Sequence, residues 1–201
     1  MDRFAARVIR TKPAATFAMA ARARALREAG RDVISLSIGE PDLSTPDHVI
    51  EAAHRAAQAG QTKYPPVGGT QALREAVRRK FARDQKLDVA PEQILITNGG
   101  KQAIFDAVMA LVDEGDEVVI PAPCWAGYVQ VVEFAGGVPV FIPSPAAEGF
   151  LLRPDALEAA ITPRTKLLLL NYPNNPSGAV ADKAMLAGLA AVLRRHPRVW
   201  A

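Results

Sequence analysis

The chain has 201 residues, 49% hydrophobic and 22% charged, a balance that suits a folded globular core and excludes a disordered chain. Its 24 basic and 21 acidic residues leave +3, spread over separate helical runs (Arg22, Arg24 and Arg27; Arg78, Arg79 and Lys80) without interleaved aromatics, which argues against nucleic-acid binding. A single cysteine, Cys124, excludes an internal disulfide and a cysteine-rich zinc site, and His48, His54 and His196 lack ligand spacing for a metal.

No apolar run reaches membrane-spanning length and no signal-peptide core follows Met1, so the expected location is the cytoplasm, away from any membrane. In chain order, an alanine- and arginine-rich stretch predicts a helix from Ala14 to Ala29, closed by Gly30. Val33–Ile38 predicts a short strand that runs into a turn at Gly39-Glu40-Pro41-Asp42. Thr45-Pro46 reads as an N-cap followed by proline at the first helical position, opening a helix that ends near Ala59 and Gly60. The turn-rich link Thr62–Gly69 displays one aromatic, Tyr64. Thr70 caps a helix with Leu73, Val77 and Phe81 on one face.

From there strands and helices alternate. Strands are predicted at Ile94–Thr97, Glu117–Pro121, Val138–Ile142 and Lys166–Leu170, with a further one starting at Arg198. Helices are predicted at Lys101–Val112, Trp125–Phe134, Pro154–Ala160 and Asp182–Arg195. This alternation predicts an α/β fold: a parallel sheet with helices on both faces. A chain that stops as a strand begins reads as the front part of something longer.

Three strand ends carry candidate chemistry. Leu167–Leu170 is a wholly apolar run of the kind buried on both faces, and it breaks into Asn171-Tyr172-Pro173-Asn174-Asn175-Pro176-Ser177-Gly178. The carboxyl end of a parallel strand is where open α/β sheets bind ligands. Asparagine there can donate and accept at once, and Asn-Pro is a candidate cis peptide; an ordinary surface turn is the alternative. Thr97-Asn98-Gly99-Gly100-Lys101-Gln102-Ala103 follows a predicted strand and opens a helix, so its amides could cradle a phosphate, or the glycines could serve packing alone. It matches neither the Walker loop nor the dinucleotide fingerprint. Trp125, in Pro121-Ala122-Pro123-Cys124-Trp125, could stack on a planar ring or simply cover the sheet end. Tyr64 could donate its hydroxyl to a phosphate or be a surface tyrosine. Together these features describe a pocket for a flat, phosphorylated aromatic cofactor.

The ordered set of segments resembles one family. It comprises Ser37–Asp42, Thr62-Lys63-Tyr64, Leu73-Arg74-Glu75-Ala76, Thr97–Ala103, Gly115-Asp116-Glu117-Val118, Pro121–Trp125, Ala135-Gly136-Gly137, Ile161–Lys166 and Asn174–Gly178. Over nearly the whole chain it is similar to the class I aminotransferases of the pyridoxal-phosphate (PLP) fold-type I superfamily, most of all their bacterial aspartate and prephenate branch. The resemblance implies a three-layer large domain with a mostly parallel sheet, incomplete here. Residues 1–45 would be an N-terminal arm and small-domain segment, and 46–201 the first part of the PLP-binding domain.

It implies PLP as cofactor and transamination between an amino acid, L-aspartate foremost, and 2-oxoglutarate. Gly99, Gly100 and Lys101 would hold the phosphate and Trp125 would stack on the pyridine ring. Asn175 would bond the ring's phenolic oxygen and the substrate α-carboxylate, and Gly39 would touch substrate through its backbone. Lys101 and hydroxyl groups near Thr16 would recognise the distal carboxylate, and Lys12 matches a substrate-side position linked in that branch to prephenate use. Tyr64 would reach the phosphate of a neighbouring subunit, implying a homodimer. Cys124 stands where an aromatic is usual, Ser177 where threonine is, and Ala15 where serine is common.

By the same resemblance the Schiff-base lysine, the aspartate that pairs with the pyridine nitrogen and the arginine for the α-carboxylate lie beyond the equivalent of Ala201. No catalytic residue is therefore expected among these residues. The 201 residues alone are expected to be inactive, to fold poorly and to bind PLP weakly. The rival readings are a PLP-dependent lyase or synthase of the same fold, and a non-catalytic PLP-domain remnant or effector-sensing domain. A regulator would need a DNA-binding module, and no helix-turn-helix pair precedes Val33.

Overall fold

The computed structural model describes residues 3–11, 15–36 and 39–201, apart from the side chains of 15–17. The chain forms two compact units, residues 22–100 and residues 1–21 with 101–201. The first helices are α1 (Ala6–Arg10) and α2 (Ala15–Glu28). Where α2 ends, Gly30 takes φ 75° and its N–H donates to the Arg27 carbonyl at 2.9 Å.

In the 22–100 unit, α3 (Asp47–Gln58) and α4 (Gln71–Lys80) follow. The expected cap of α3 is displaced by one residue: Pro46 occupies the cap position and no side chain caps the helix. Pro46 keeps an extended ψ of 139°, which leaves the Thr45 hydroxyl one residue too early to meet the first amides. Thr70 does cap α4, accepting from the Leu73 N–H at 3.4 Å. Beyond α4 the chain passes through one π-helical stretch, Phe81–Gln85, and turns at Lys86 with φ 59°.

Two predicted strands do not form in this unit. Residues 33–36 are not a strand, and Ile34 and Leu36 are 86% and 94% exposed; Ser37 and Ile38 lie outside the described residues. Ile94–Thr97 is likewise irregular, although Ile94 is buried and the Ile96 N–H donates to the Gly68 carbonyl at 3.1 Å. A bond to a loop carbonyl is not a ladder. Apolar patterning shows that a segment could be a strand, but not that a neighbouring strand is there to pair with it.

The other unit follows the predicted order: α5 (Gly100–Leu111), β1 (Glu117–Ala122), α6 (Ala126–Ala135), β2 (Val138–Pro143), α7 (Pro154–Ala160), β3 (Thr165–Leu168) and α8 (Lys183–Arg195). The three strands are parallel, in the order β2-β1-β3. Trp200 extends the sheet through a parallel bridge to Leu167, and its carbonyl accepts from the Leu168 N–H at 2.8 Å.

The period-two alternation of a strand sorts these apolar runs onto two faces. Val118, Ile120 and Leu167 pack with Val108, Val112 and Val132 from the α5 and α6 side. Val119 and Leu168 turn the other way, onto Leu152, Leu157, Leu189 and Val192 from the α7 and α8 side. Helices thus cover both faces, giving the expected three-layer α/β arrangement. Each fully buried Val, Leu or Ile contributes about 1.5–3 kcal/mol.

At the amino end of β1, Glu117 is 4% exposed. Its carboxylate accepts from the Thr162 hydroxyl at 2.5 Å and from Arg164 Nε at 2.9 Å, and these partners hold it below the usual carboxylate range although burial pulls the other way. Among the described residues no helix is long and apolar enough to cross a membrane.

Candidate active site

The carboxyl ends of β1 and β3 bear the predicted chemistry. After β1 the Ala122–Pro123 peptide is cis, and Trp125 keeps extended backbone (φ −66°, ψ 125°) just before α6. Its indole meets Tyr128 edge-on, with centroids 5.3 Å apart and planes at 88°. The Lys101 ammonium lies over the same indole, 5.3 Å from its centroid, within cation–π range. Cys124 is half-buried, and that burial pushes its thiol pKa up, so it stays a neutral thiol rather than a nucleophile at neutral pH. Burial, and secondarily Cys124, also raise the Tyr128 hydroxyl.

After β3 the Leu169 N–H still donates to the Val119 carbonyl at 3.0 Å, and then the asparagine loop departs. Asn175–Pro176 is cis, as the sequence allowed, and so is Tyr172–Pro173. Asn174 is the hub. Its Oδ1 accepts from the Ser177 N–H at 3.0 Å and the Ser177 hydroxyl at 2.7 Å. Its Nδ2 donates to the Pro123 carbonyl at 3.3 Å, which ties this loop to the one after β1. The Tyr172 hydroxyl accepts from the Leu152 N–H at 2.9 Å and donates to the Phe150 carbonyl at 3.3 Å. Between the loops lies a small cleft lined by Pro121, Cys124, Tyr128, Leu169, Asn171 and Asn174.

Asn175 is exposed. Its backbone N–H donates to Asn171 Oδ1 at 3.0 Å, and its side-chain amide has no hydrogen bond among the described residues. A fixed backbone with an uncommitted amide suits a group that meets a ligand. The structure thus brings together Lys101, Trp125 and the asparagine loop within one unit. Gly39, Tyr64, Gly99 and Gly100 belong to the other.

Gly99 takes φ 79°, and its N–H closes a tight turn on the Thr97 carbonyl at 2.8 Å; α5 begins at the next residue. A Cβ on Gly99, Gly100 or Gly39 would meet nothing within 4 Å, so the backbone there can be approached closely. Tyr64 is fully exposed. Thr16 lies in α2 with its side chain outside the described residues, and Lys12 lies outside them altogether. The sequence marked this loop as a candidate site but assigned a role to Asn175 alone, and none to Asn171, Tyr172 or Asn174. The available signal was the Asn174-x-x-Ser177 spacing of an asparagine-capped turn.

Residues 31–201 match the family model for aminotransferase class I and II. The chain is 49% identical over 191 residues to the aspartate/prephenate aminotransferase of Cereibacter sphaeroides, covering 95% of this chain and 48% of that protein. It superposes with a TM-score of 0.96 on the crystal structure of an aspartate aminotransferase from Rhizobium meliloti, at 44% identity, covering 100% of this chain and 50% of that one. For the Thermus thermophilus aspartate aminotransferase with maleate the TM-score is 0.94, at 46% identity, with 100% and 52% covered. The chain spans about half the length of the curated relatives it matches. On the matched residues, and with the same α/β arrangement, the chain belongs to the class I and II aminotransferase family.

Proposed function

We propose that this chain carries the phosphate- and ring-binding part of a PLP-dependent aminotransferase. The enzyme would move an amino group from an amino acid, L-aspartate foremost, to a 2-oxo acid such as 2-oxoglutarate. The observation that carries this reading is the strand-end indole of Trp125 under the Lys101 ammonium, with the asparagine loop clasped to Pro123 beside it. The open backbone at Gly99 and Gly100, where α5 starts, fits a phosphate monoester, because the first N–H groups of a helix lack intrahelical partners.

Bound PLP supplies a conjugated electron sink for the substrate's α-carbon. The chain's own residues bind and orient. The N–H groups of Gly100 and Lys101 receive the phosphate, and Gly99 gives the loop its bend, its own N–H being engaged with Thr97. Trp125 stacks on the ring and limits water access to one face. Asn175 donates to the ring's phenolic oxygen and to the substrate α-carboxylate, and Gly39 offers its backbone to substrate. Lys101, with the Thr16 hydroxyl, reads the distal carboxylate, and Lys12 stands at the substrate-side position linked to prephenate use.

Tyr64, exposed on its loop, donates to the phosphate of a neighbouring subunit in a homodimer. Residues 1–45 form the arm and small-domain segment and 46–201 the beginning of the large domain. We assign the covalent role to none of the lysines in these 201 residues. The names of the relatives support aspartate as donor, and the maleate-bound Thermus thermophilus structure supports a site shaped for a four-carbon dicarboxylate.

The test is a visible absorption spectrum of the product of the full reading frame, loaded with PLP, before and after L-aspartate. A yellow band that bleaches with aspartate and returns with 2-oxoglutarate is the expected result. A band that ignores aspartate but answers another amino acid keeps the class and removes the substrate. Release of ammonia with a keto acid, without recovery by 2-oxoglutarate, means a lyase.

A further inference from the structure

Gly127 stands in the first turn of α6, buried, two residues after the strand-end tryptophan. Its φ lies outside the left-handed region, so the backbone there accepts any residue, and alanine would lower the conformational entropy cost of the helix. What glycine provides is space. A Cβ at this position would lie 2.3, 2.4 and 2.5 Å from Cη2, Cζ3 and Cζ2 of Trp125. These are adjacent carbons of the benzo ring, so the indole fills the volume that a methyl group would take.

The indole also has Tyr128 at its edge and the Lys101 ammonium above it. Its pose is therefore set by neighbours on its own helix and on α5. With a Cβ at Gly127, ordinary contact would require at least 3.4 Å in place of 2.3 Å, a shift the indole can make only by leaving its present plane.

We propose that Gly127 is a positioning residue: by lacking a Cβ it sets the plane of the Trp125 indole, and through that plane the seat of the stacked PLP ring and of the Lys101 ammonium. The second half of this rests on the function proposed above; the first half does not. Alanine at this position displaces the indole while leaving α6 intact, so the effect appears in the cofactor's environment and not in the stability of the fold.

The experiment uses the product of the full reading frame, with the Trp125 signal read as the difference between each protein and the same protein carrying Trp125→Phe. Gly127→Ala is expected to change the near-UV circular dichroism and the emission of Trp125 in the PLP-free protein, with no loss of thermal stability. PLP binding should weaken about fivefold, the order of one lost aromatic contact. In a Trp125→Ala background the same substitution should leave PLP affinity unchanged, since the ring through which it acts is gone. An unchanged Trp125 signal overturns the proposal, and so does a PLP penalty that persists in the absence of the indole. A protein that binds no PLP at all removes the functional reading, and the PLP-free spectra then decide the role of Gly127 by themselves.

Discussion

At its amino end β1 begins with a buried carboxylate whose oxygens face the Thr162 hydroxyl, the Arg164 guanidinium and the Thr165 hydroxyl. At its carboxyl end the same strand opens into a cis-proline turn, a half-buried thiol, an indole under a lysine ammonium, and a neighbouring loop with an uncommitted asparagine amide. The difference lies in what the polar groups have as partners. At the amino end protein groups satisfy one another and their value is stability. At the carboxyl end backbone and side chains are held in place by Asn174 and Tyr172, while the groups that could bind remain available. A parallel sheet can divide these tasks because every strand points its carboxyl end the same way.

The most direct way to break this comparison is to disable the closed end. Glu117→Gln removes the charge that Thr162 and Arg164 bond to, and should destabilise the product of the full reading frame by about 2 kcal/mol, as charge-assisted hydrogen bonds do. PLP affinity should stay unchanged. Urea unfolding and a PLP titration on the same samples check both halves; a weakened PLP site would mean that the two ends are coupled.

The Glu117 end also carries a pH signature. The Thr162 hydroxyl first, and Arg164 after it, hold the folded carboxyl below its ordinary value. Its contribution is therefore complete above the unfolded pKa, about 4.3, and is lost as pH falls through the lower folded value. As pH falls below about 4.3 the parent protein should lose more stability than Glu117→Gln, and the two curves should converge on the acid side.

At the open end the expected pattern is reversed. Trp125→Ala should weaken PLP binding about tenfold, through loss of the stack and of the cation–π seat of Lys101. Because the indole is only partly buried, thermal stability should change little. Equilibrium dialysis with PLP, set beside a melting curve, reads this. A collapse of the melting temperature with unchanged affinity would move Trp125 to the structural side of the comparison.

The sequence made one half of this molecule far more legible than the other. Val118–Ile120 and Leu167-Leu168 are short apolar runs flanked by turn residues, and their partners follow within a strand and a helix, so local pattern and pairing agree. Val33–Ile38 and Ile94–Thr97 have the same local pattern, but what makes a strand is a ladder, which depends on distant chain. In the site, Trp125 and the asparagine loop could be read because proline and glycine punctuate strand ends. Which asparagine turns inward could not be read. The path through Pro173 and Pro176 directs the Asn174 amide to Pro123 and Ser177 and leaves Asn175 outward. The meeting of Lys101 with Trp125, and the space that Gly127 leaves, depend on α5 and α6 packing on one face of the sheet.

The smallest effect tests whether the asparagine loop is rigid in itself or only through the helix that follows it. Asp182 caps α8, its Oδ1 accepting from the Met185 N–H at 2.7 Å, and α8 buries Leu189 and Val192 against the sheet. Asp182→Ala should cost about 1 kcal/mol, the usual value of a lost cap, and Asp182→Asn should restore most of it because the amide oxygen also accepts. The Asn174 bonds to Ser177 and Pro123 all lie before the cap, so the loop should survive its loss and PLP affinity should not move. Hydrogen exchange separates the two cases. Faster exchange confined to the first turn of α8 means that the loop holds itself, while faster exchange that spreads back to the Ser177 and Gly178 amides means that the helix end is part of what holds the binding groups in place.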